Sequence, residues 1–518
     1  MERLLQPRWR RVARVLLVAS ASSGAALAGC AADERPPNVV ILMLDTARPD
    51  YLSAYGHPRP TTPFLERFAA EGARFDRAYS CSSWSLPAHA SLFTGVPPRV
   101  HRGDQTSQVV SSALPLLSEE LRALGYRTGA FSANTWMGPK TGLERGFETF
   151  RDLSSRIYRP HVRRLASDPG GKHAPPGEHH VVAPVLEWLA GTRADPRPFF
   201  LFVNLIEPHM PYLPDARAAA PFLGGSEARW DAIQRFYPEG KPGVVSFRHY
   251  RRDAPLDERE WAALTAMYEG TLRLTDELSE AIVAAVDGLA PGEETLVFVV
   301  SDHGENLGDH GHFQHLFNLY DSNLKIVLLA RGPGFAPGRV EQELVQIADL
   351  HRTILAAAGS QATVRADTLD LRATIPSERV ITAELDVPQE SLAMFPEDVR
   401  LEGDMHIYER ALLAAVGPRF KLIRASDGSE ELFDLVEDPH ELHPLARAEV
   451  EPAALDQLEA ALARLLAEVP APLGPEADRP SDPEAEDALR ALGYVGEDSA
   501  PQSGGAAGER RRQRRAEK

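Results

Sequence analysis

An α/β protein built on a parallel sheet, with a smaller C-terminal α+β unit, is predicted by three observations. Buried-type apolar runs recur along the first two thirds of the chain, helical patterns separate them, and the character of the sequence changes after Gly334. The first run, Asn38–Leu44, is continuous and rich in β-branched residues, which is how a strand covered on both faces reads. Phe199–Ile206 and Leu296–Val300 repeat that signature. Between the runs lie helical patterns at Pro63–Gly72, Ser111–Leu124 and Glu258–Leu289, and strand alternating with helix is the pattern of parallel α/β architecture. Two stretches rich in Pro, Gly, His and charge, Asp168–His180 and Gly224–Arg252, read as long surface loops or lids bordering a substrate.

In the C-terminal unit, Phe420–Arg424 and Glu431–Leu435 form two short strand candidates joined by Ser426-Asp427-Gly428, a hairpin signal. A helix is expected over Pro452–Val469, and Gly504–Lys518, small and basic without periodicity, reads as disordered. The resulting division is a leader over 1–29, a tether over 30–37, a main unit over 38–350, a C-terminal subdomain over 351–470 and a partly disordered tail over 471–518.

Composition narrows the class. With 43% hydrophobic and 25% charged residues the chain is neither disordered nor a multi-span membrane protein. A net charge of −18, with the mature chain's basic residues clustered only in its last dozen positions, argues against a nucleic-acid partner. Arg8, Arg10, Arg11 and Arg14 precede an apolar stretch from Val15 to Leu27-Ala28-Gly29-Cys30, too short to span as a mature helix. Leu-Ala-Gly-Cys resembles the lipobox of bacterial lipoproteins, in which Cys30 becomes the acylated N-terminus. The competing reading is ordinary secretory cleavage near Ala28. On the lipoprotein reading the chain is exported and anchored to the cell envelope, and Ala31, where an aspartate would retain it, favours the outer membrane. Cys81 is then the sole remaining cysteine, so no intramolecular disulfide is expected.

The chemistry gathers where the apolar runs end. Leu44 gives way to Asp45, Ile206 to Glu207-Pro208-His209, and Val300 to Ser301-Asp302-His303-Gly304-Glu305. Ligands of open α/β sheets sit at the carboxyl ends of strands, so these ends are expected to converge. Taken singly, Asp45 and Asp302 also fit turn or cap residues, and His209 a satisfied loop histidine. Ser85, in Ser83-Trp84-Ser85-Leu86-Pro87-Ala88-His89, stands at the start of a short expected helix, where unpaired amides and the dipole favour an anion. A plain N-cap would look the same.

These pieces, in order, resemble a sulfatase of the alkaline phosphatase superfamily. The resemblance rests on Asp45-Thr46-Ala47-Arg48-Pro49-Asp50, Thr61-Thr62-Pro63, Ser85-x-Pro-x-His89, Glu207-Pro208-His209-x-Pro211-Tyr212 and Ser301-Asp302-His303-Gly304-Glu305. His315 with Leu319-Tyr320, and Leu432-Phe433-Asp434-Leu435 with Asp438-Pro439, extend it over some 400 residues. It implies an alkaline-phosphatase-like fold, with a large mixed, mostly parallel sheet flanked by helices, and hydrolysis of sulfate or related phosphate esters of small molecules or glycans. Sulfatases place a cysteine or serine in C/S-x-P-x-R, where it is oxidised to formylglycine. Here Ser85 holds that place, His89 replaces the arginine, Thr46 stands for the usual second aspartate, and His303 for a frequent asparagine.

The resemblance therefore implies one divalent cation on Asp45, Ser85, Asp302 and His303, with manganese or zinc favoured by the imidazole and calcium the all-oxygen alternative. Ser85 is the expected nucleophile, His209 and His315 the expected leaving-group or oxygen partners, and His89 a further candidate one turn from Ser85. Left unmodified, Ser85 favours phosphodiesterase or phosphoglycol-transferase chemistry, because a sulfated serine lacks the aldehyde's route to expel sulfate. A non-catalytic lipoprotein that binds an anionic glycan is the alternative of another class.

Overall fold

The computed structural model describes residues 35–154, 167, 174–192, 194–224, 226–237, 249, 255–289, 294–362, 364–389, 392 and 405–474. The leader with Cys30, residues 168–173, 225, 238–248 and 250–252 of the two expected lids, and the basic tail lie outside them. No helix among the described residues is long and apolar enough to cross a membrane.

Strand β1 (Asn38–Leu44) is buried at every position and lies inside the main sheet. Each Val, Ile or Leu side chain taken fully out of water contributes roughly 1.5–3 kcal/mol, so a strand of this composition is stable only with cover on both faces. In chain order the next strands are β2 (Ala73–Phe75), β3 (Ala78–Tyr79), β4 (Arg127–Ser132), β5 (Thr149–Asp152), β6 (Phe199–Leu205) and β7 (Thr295–Val300). A hairpin of β8 (Asn306–Leu307) and β9 (Phe313–Gln314) follows, then β10 (Leu328–Arg331), β11 (Arg339–Glu341) and β12 (Val345–Gln346). Eight of these form the main sheet in the order β11-β2-β10-β7-β1-β6-β4-β5, while β3 pairs with β12.

Parallel pairing joins β7, β1, β6, β4 and β5. Only β10 runs antiparallel, against both β7 and β2, so the sheet is mixed and mostly parallel as expected. Because β1 lies between β6 and β7, the residues that follow these three strands are brought together.

The helix Glu258–Asp287 starts where expected because Asp257 caps it and Glu260 reaches back to the Asp257 amide. Two expectations need correction. The helix anticipated over 111–124 covers only Leu117–Ala123: Pro115 keeps the preceding residue out of the helical region, and Glu119 closes the new start on the Leu116 amide at 2.9 Å. The second lid is not loop throughout, since Ser226–Phe236 is helical. Its buried Arg229, Ala232, Ile233 and Phe236 recur at i, i+3, i+4 and i+7, a helical stripe flanked by glycine and proline.

The C-terminal unit holds a four-stranded antiparallel sheet, β13 (Ile381–Leu385), β14 (Leu412–Val416), β15 (Phe420–Ala425) and β16 (Glu430–Asp434). The expected hairpin is its β15–β16 half, and the helix Pro452–Leu466 covers it through Leu458, Ala461 and Leu462. Lys421, fully buried, is held by Asp321 at 2.8 Å and Glu441 at 2.6 Å and so ties β15 to the main body.

Candidate active site

Asp45 continues the β1 ladder, its amide donating to the Leu205 carbonyl at 3.0 Å. The chain then turns sharply through Thr46, whose φ of 58° is rare for a β-branched residue. One hydroxyl secures that turn: Tyr268, from the long helix, donates to the Thr46 carbonyl and accepts from the Arg48 amide, both at 2.9 Å. Thr46 thus supplies backbone, its amide donating to Asp302 Oδ1 at 3.0 Å, and links the end of β1 to the end of β7.

Asp302 Oδ1 also accepts from the His303 amide at 3.0 Å. His303 Nδ1 donates to the Gly304 carbonyl at 2.8 Å, which leaves Nε2 as the lone-pair nitrogen. That nitrogen lies 3.4 Å from Asp302 Oδ2 and 3.3 Å from Ser85 Oγ. Gly304 is required here, because a Cβ would meet the Ser322 carbonyl oxygen at 2.0 Å.

Ser85 opens the helix Ser85–Thr94, but the N-cap position belongs to Trp84, with no side-chain cap. The cap reading of Ser85 therefore fails. Its buried hydroxyl instead accepts from Asn134 Nδ2 at 3.0 Å and faces His303. The same Asn134 nitrogen donates to Asp45 Oδ2 at 2.7 Å, where Asn204 adds a second bond at 2.9 Å. Asn134 Oδ1 accepts from the Trp136 amide at 2.8 Å, which fixes the orientation of the amide. Neither asparagine figures among the residues expected from sequence.

On the two carboxylates of the cluster, Asp45 Oδ1 and Asp302 Oδ2 are buried and without a hydrogen bond of ordinary geometry. Ligand atoms of Asp45, Asp302 and His303 all lie within 4.8 Å of one another, all three residues buried. Burial first, and then the neighbouring Asp302, pushes the Asp45 carboxyl up to about 6. Burial pushes Asp302 to about 6 as well, against the amide bonds from Thr46 and His303. For Asp45 the move from 3.8 to about 6 disfavours the ionised form by roughly 3 kcal/mol, an amount that a cation between the carboxylates would offset. The donor set fits a divalent ion.

Three further histidines surround the cluster. His209 donates from Nδ1 to the Met210 carbonyl at 2.6 Å, and its ring centroid is 5.1 Å from that of His315. His315 lies 4.5 Å from the His303 ring and meets Glu305 Oε1 through Nδ1 at 3.1 Å. Left-handed backbone at Gln314 and Leu316, φ 65° and 90°, aims it inward. Burial pushes Glu305 up to about 7. His89 lies along the helix from Ser85, with Nε2 3.9 Å from Asp302 Oδ2 and its ring edge-on to Phe202. Burial lowers all these imidazoles, His89 and His315 to about 3, so they are neutral in the free protein. Cys81 is buried and its thiol is pushed up to about 12, which removes it as a nucleophile.

Residues 37–360 match the Sulfatase family. The chain belongs to the sulfatase family. It is 25% identical over 483 residues to the multifunctional alkaline phosphatase superfamily protein PehA of Trinickia caryophylli, covering 79% of this chain and 91% of that one. It is 29% identical over 365 residues to arylsulfatase A of Bos taurus, covering 65% and 67%. The crystal structure of the phosphonate monoester hydrolase of Agrobacterium radiobacter superposes with a TM-score of 0.59 over 83% of this chain and 95% of that one, at 21% identity. As a sulfatase-family protein the chain is a metal-dependent ester hydrolase. All the sequence-derived residues Asp45, Ser85, His89, His209, Asp302, His303 and His315 are buried at the carboxyl-end cluster, and Asn134 and Asn204 join them.

Asn134 gives the site a direct test. Asn134→Ala removes one pre-oriented donor to both Asp45 and Ser85, and kcat/KM is expected to fall by roughly 10²-fold, the scale of one such donor. Unchanged kinetics would show that Ser85 needs no such support.

Proposed function

We propose that this sulfatase-family hydrolase acts on a sulfate ester, or a closely related phosphate ester, of a small molecule or glycan, with Ser85 as nucleophile. The observation that carries the reading is the convergence of Ser85 Oγ, His303 Nε2 and the two carboxylate oxygens that lack hydrogen bonds of ordinary geometry. Asp45, Ser85, Asp302 and His303 would hold one divalent cation, and oxygen and imidazole donors together favour manganese or zinc over calcium. When bound, it offsets the carboxylate charge and polarises the ester.

The chain's own groups do the rest. Asn134 and the free amides at the start of the Ser85 helix stabilise the Ser85 oxyanion as it attacks sulfur or phosphorus. The proton that Ser85 loses as it attacks passes, directly or through solvent, to the neutral His209 or His315, whose proton affinity rises once an anionic ester sits beside them, and the imidazolium so formed gives it to the departing alkoxide. His89, whose Nε2 lies 3.9 Å from Asp302 Oδ2, is placed to share the work of His209 and His315. Water then attacks the serine adduct. Because a phosphoserine is readily hydrolysed and a serine sulfate less so, an unmodified Ser85 supports a second reading, phosphodiester hydrolysis or phosphoglycol transfer. PehA, named for several activities of the superfamily, supports keeping both.

The test compares 4-nitrophenyl sulfate with bis(4-nitrophenyl) phosphate, before and after chelation. Turnover of at least one is expected to fall by about 10³-fold on chelation, the worth of several kcal/mol, and to return with manganese or zinc. Binding of sulfated glycans without turnover of either ester would instead support a non-catalytic lipoprotein.

The same proposal has the protein exported and anchored to the cell envelope through acylated Cys30, with the outer membrane favoured by Ala31. Cells labelled with a fatty-acid analogue should yield a labelled, detergent-phase product from the wild type and none from Cys30→Ala. An equally labelled variant would sink the anchor.

A further inference from the structure

A second group of metal-type donors lies outside the cluster described above. His179 and His180 stand where the turn Pro176–Glu178 leads into the helix Val182–Thr192, and Glu207 follows Ile206 just beyond β6. One ligand atom from each lies within 4.8 Å of the others. His179 Nε2 is 3.2 Å from Glu207 Oε1, and the two imidazole rings are 4.2 Å apart, tilted by 41°. His179 and Glu207 are buried, His180 is half-buried, and His179 Nε2, His180 Nε2 and both Glu207 carboxylate oxygens are themselves shielded from solvent.

From this geometry we infer a second divalent-cation site, formed by His179, His180 and Glu207. Two imidazoles and one carboxylate are a donor set that suits zinc, which commonly takes three protein ligands and one water. The bland alternative is a His179–Glu207 ion pair with His180 packed on it. Against that alternative stands His180: an ion pair does not need a second imidazole brought within ligand distance of both partners. Binding through His179 Nε2 places the imidazole proton on Nδ1, which gives up the long 3.4 Å contact from the Val181 amide. The cation would fasten the start of the Val182–Thr192 helix to Glu207, two residues before His209. This inference does not depend on the proposed chemistry at Ser85.

The experiment is a metal count. The full-length chain, stripped with chelator and re-equilibrated with zinc chloride, is desalted and its zinc measured by mass spectrometry, with circular dichroism to check the fold. Two zinc ions per chain are expected in the wild type, one in His180→Ala, one in the Asp302→Ala, His303→Ala double variant, and none in the triple variant. His180 is the gentlest position to change, being half-buried. If the folded His180→Ala variant holds as much zinc as the wild type, the site does not exist. Failure of the Ser85 cluster instead gives one zinc in the wild type, lost in His180→Ala and kept in the double variant. If His180→Ala does not fold, His180→Gln takes its place under the same criterion: a folded variant that holds as much zinc as the wild type overturns the site, and loss of one ion supports it.

Discussion

Ser85→Ala is expected to lower kcat/KM on aryl sulfate and phosphodiester probes by about 10⁴-fold or more, the scale of losing a nucleophile whose supporting groups cannot act without it. The hydroxyl has no capping duty to confuse the result, because Trp84 occupies the cap position and Ser85 Oγ faces Asn134, His303 and Asp302 within the cluster. A loss under tenfold would remove Ser85 from the mechanism. Ser85→Cys is the sharper probe. If a maturation enzyme converts that cysteine to formylglycine, preference shifts toward sulfate esters; without conversion, a thiolate beside Asp302 and His303 holds the cation differently and turnover stays low. The wild-type peptide that carries Ser85 should weigh as serine, since His89 stands where the arginine of the recognition pattern is expected. A mass lower by two hydrogens would restore the formylglycine mechanism.

The sequence made part of this site legible for a physical reason. In a strand buried on both faces nearly every residue is apolar, so a carboxylate or imidazole just past its end stands out, as Asp45, His209 and Asp302-His303 do after β1, β6 and β7. Asn134 follows the same rule two residues past β4, yet Arg127–Ser132 begins with arginine and includes a glycine at 129, and does not read as a strand. Asn204 hides inside the apolar β6, where one amide among aromatic and aliphatic residues looks like noise until Asp45 is seen to need a donor. β14, five small apolar residues, fits a strand and a buried helix equally by periodicity. The helix 226–236 was obscured by its glycine- and proline-rich neighbours, although its stripe of Ala232, Ile233 and Phe236 was present to be read. Most of the fold follows from local pattern, whereas the asparagines follow only from what their partners require.

Removing the ligands at the end of β7 is expected to have the second large effect. Asp302→Ala together with His303→Ala deletes two of the four proposed donors, and metal analysis should show the Ser85 cluster empty with turnover lost. Full occupancy of that cluster in the double variant would rule the assignment out. The wild-type affinity should also depend on pH in a defined direction. Asp45 and Asp302 each titrate near about 6 in the metal-free protein, while His303 is lowered to about 3. Above about 6 both carboxylates are ionised and His303 is neutral, so a cation displaces few protons and apparent affinity is nearly flat. Below it, protons compete for both carboxylates, and affinity should fall toward about 100-fold per pH unit as two protons are displaced per ion. Asp45→Asn leaves one of the two competing carboxylates, so its affinity, though weaker overall, should fall by only about tenfold per unit across the same range. Equal slopes for the wild type and Asp45→Asn would show that Asp45 does not face the cation.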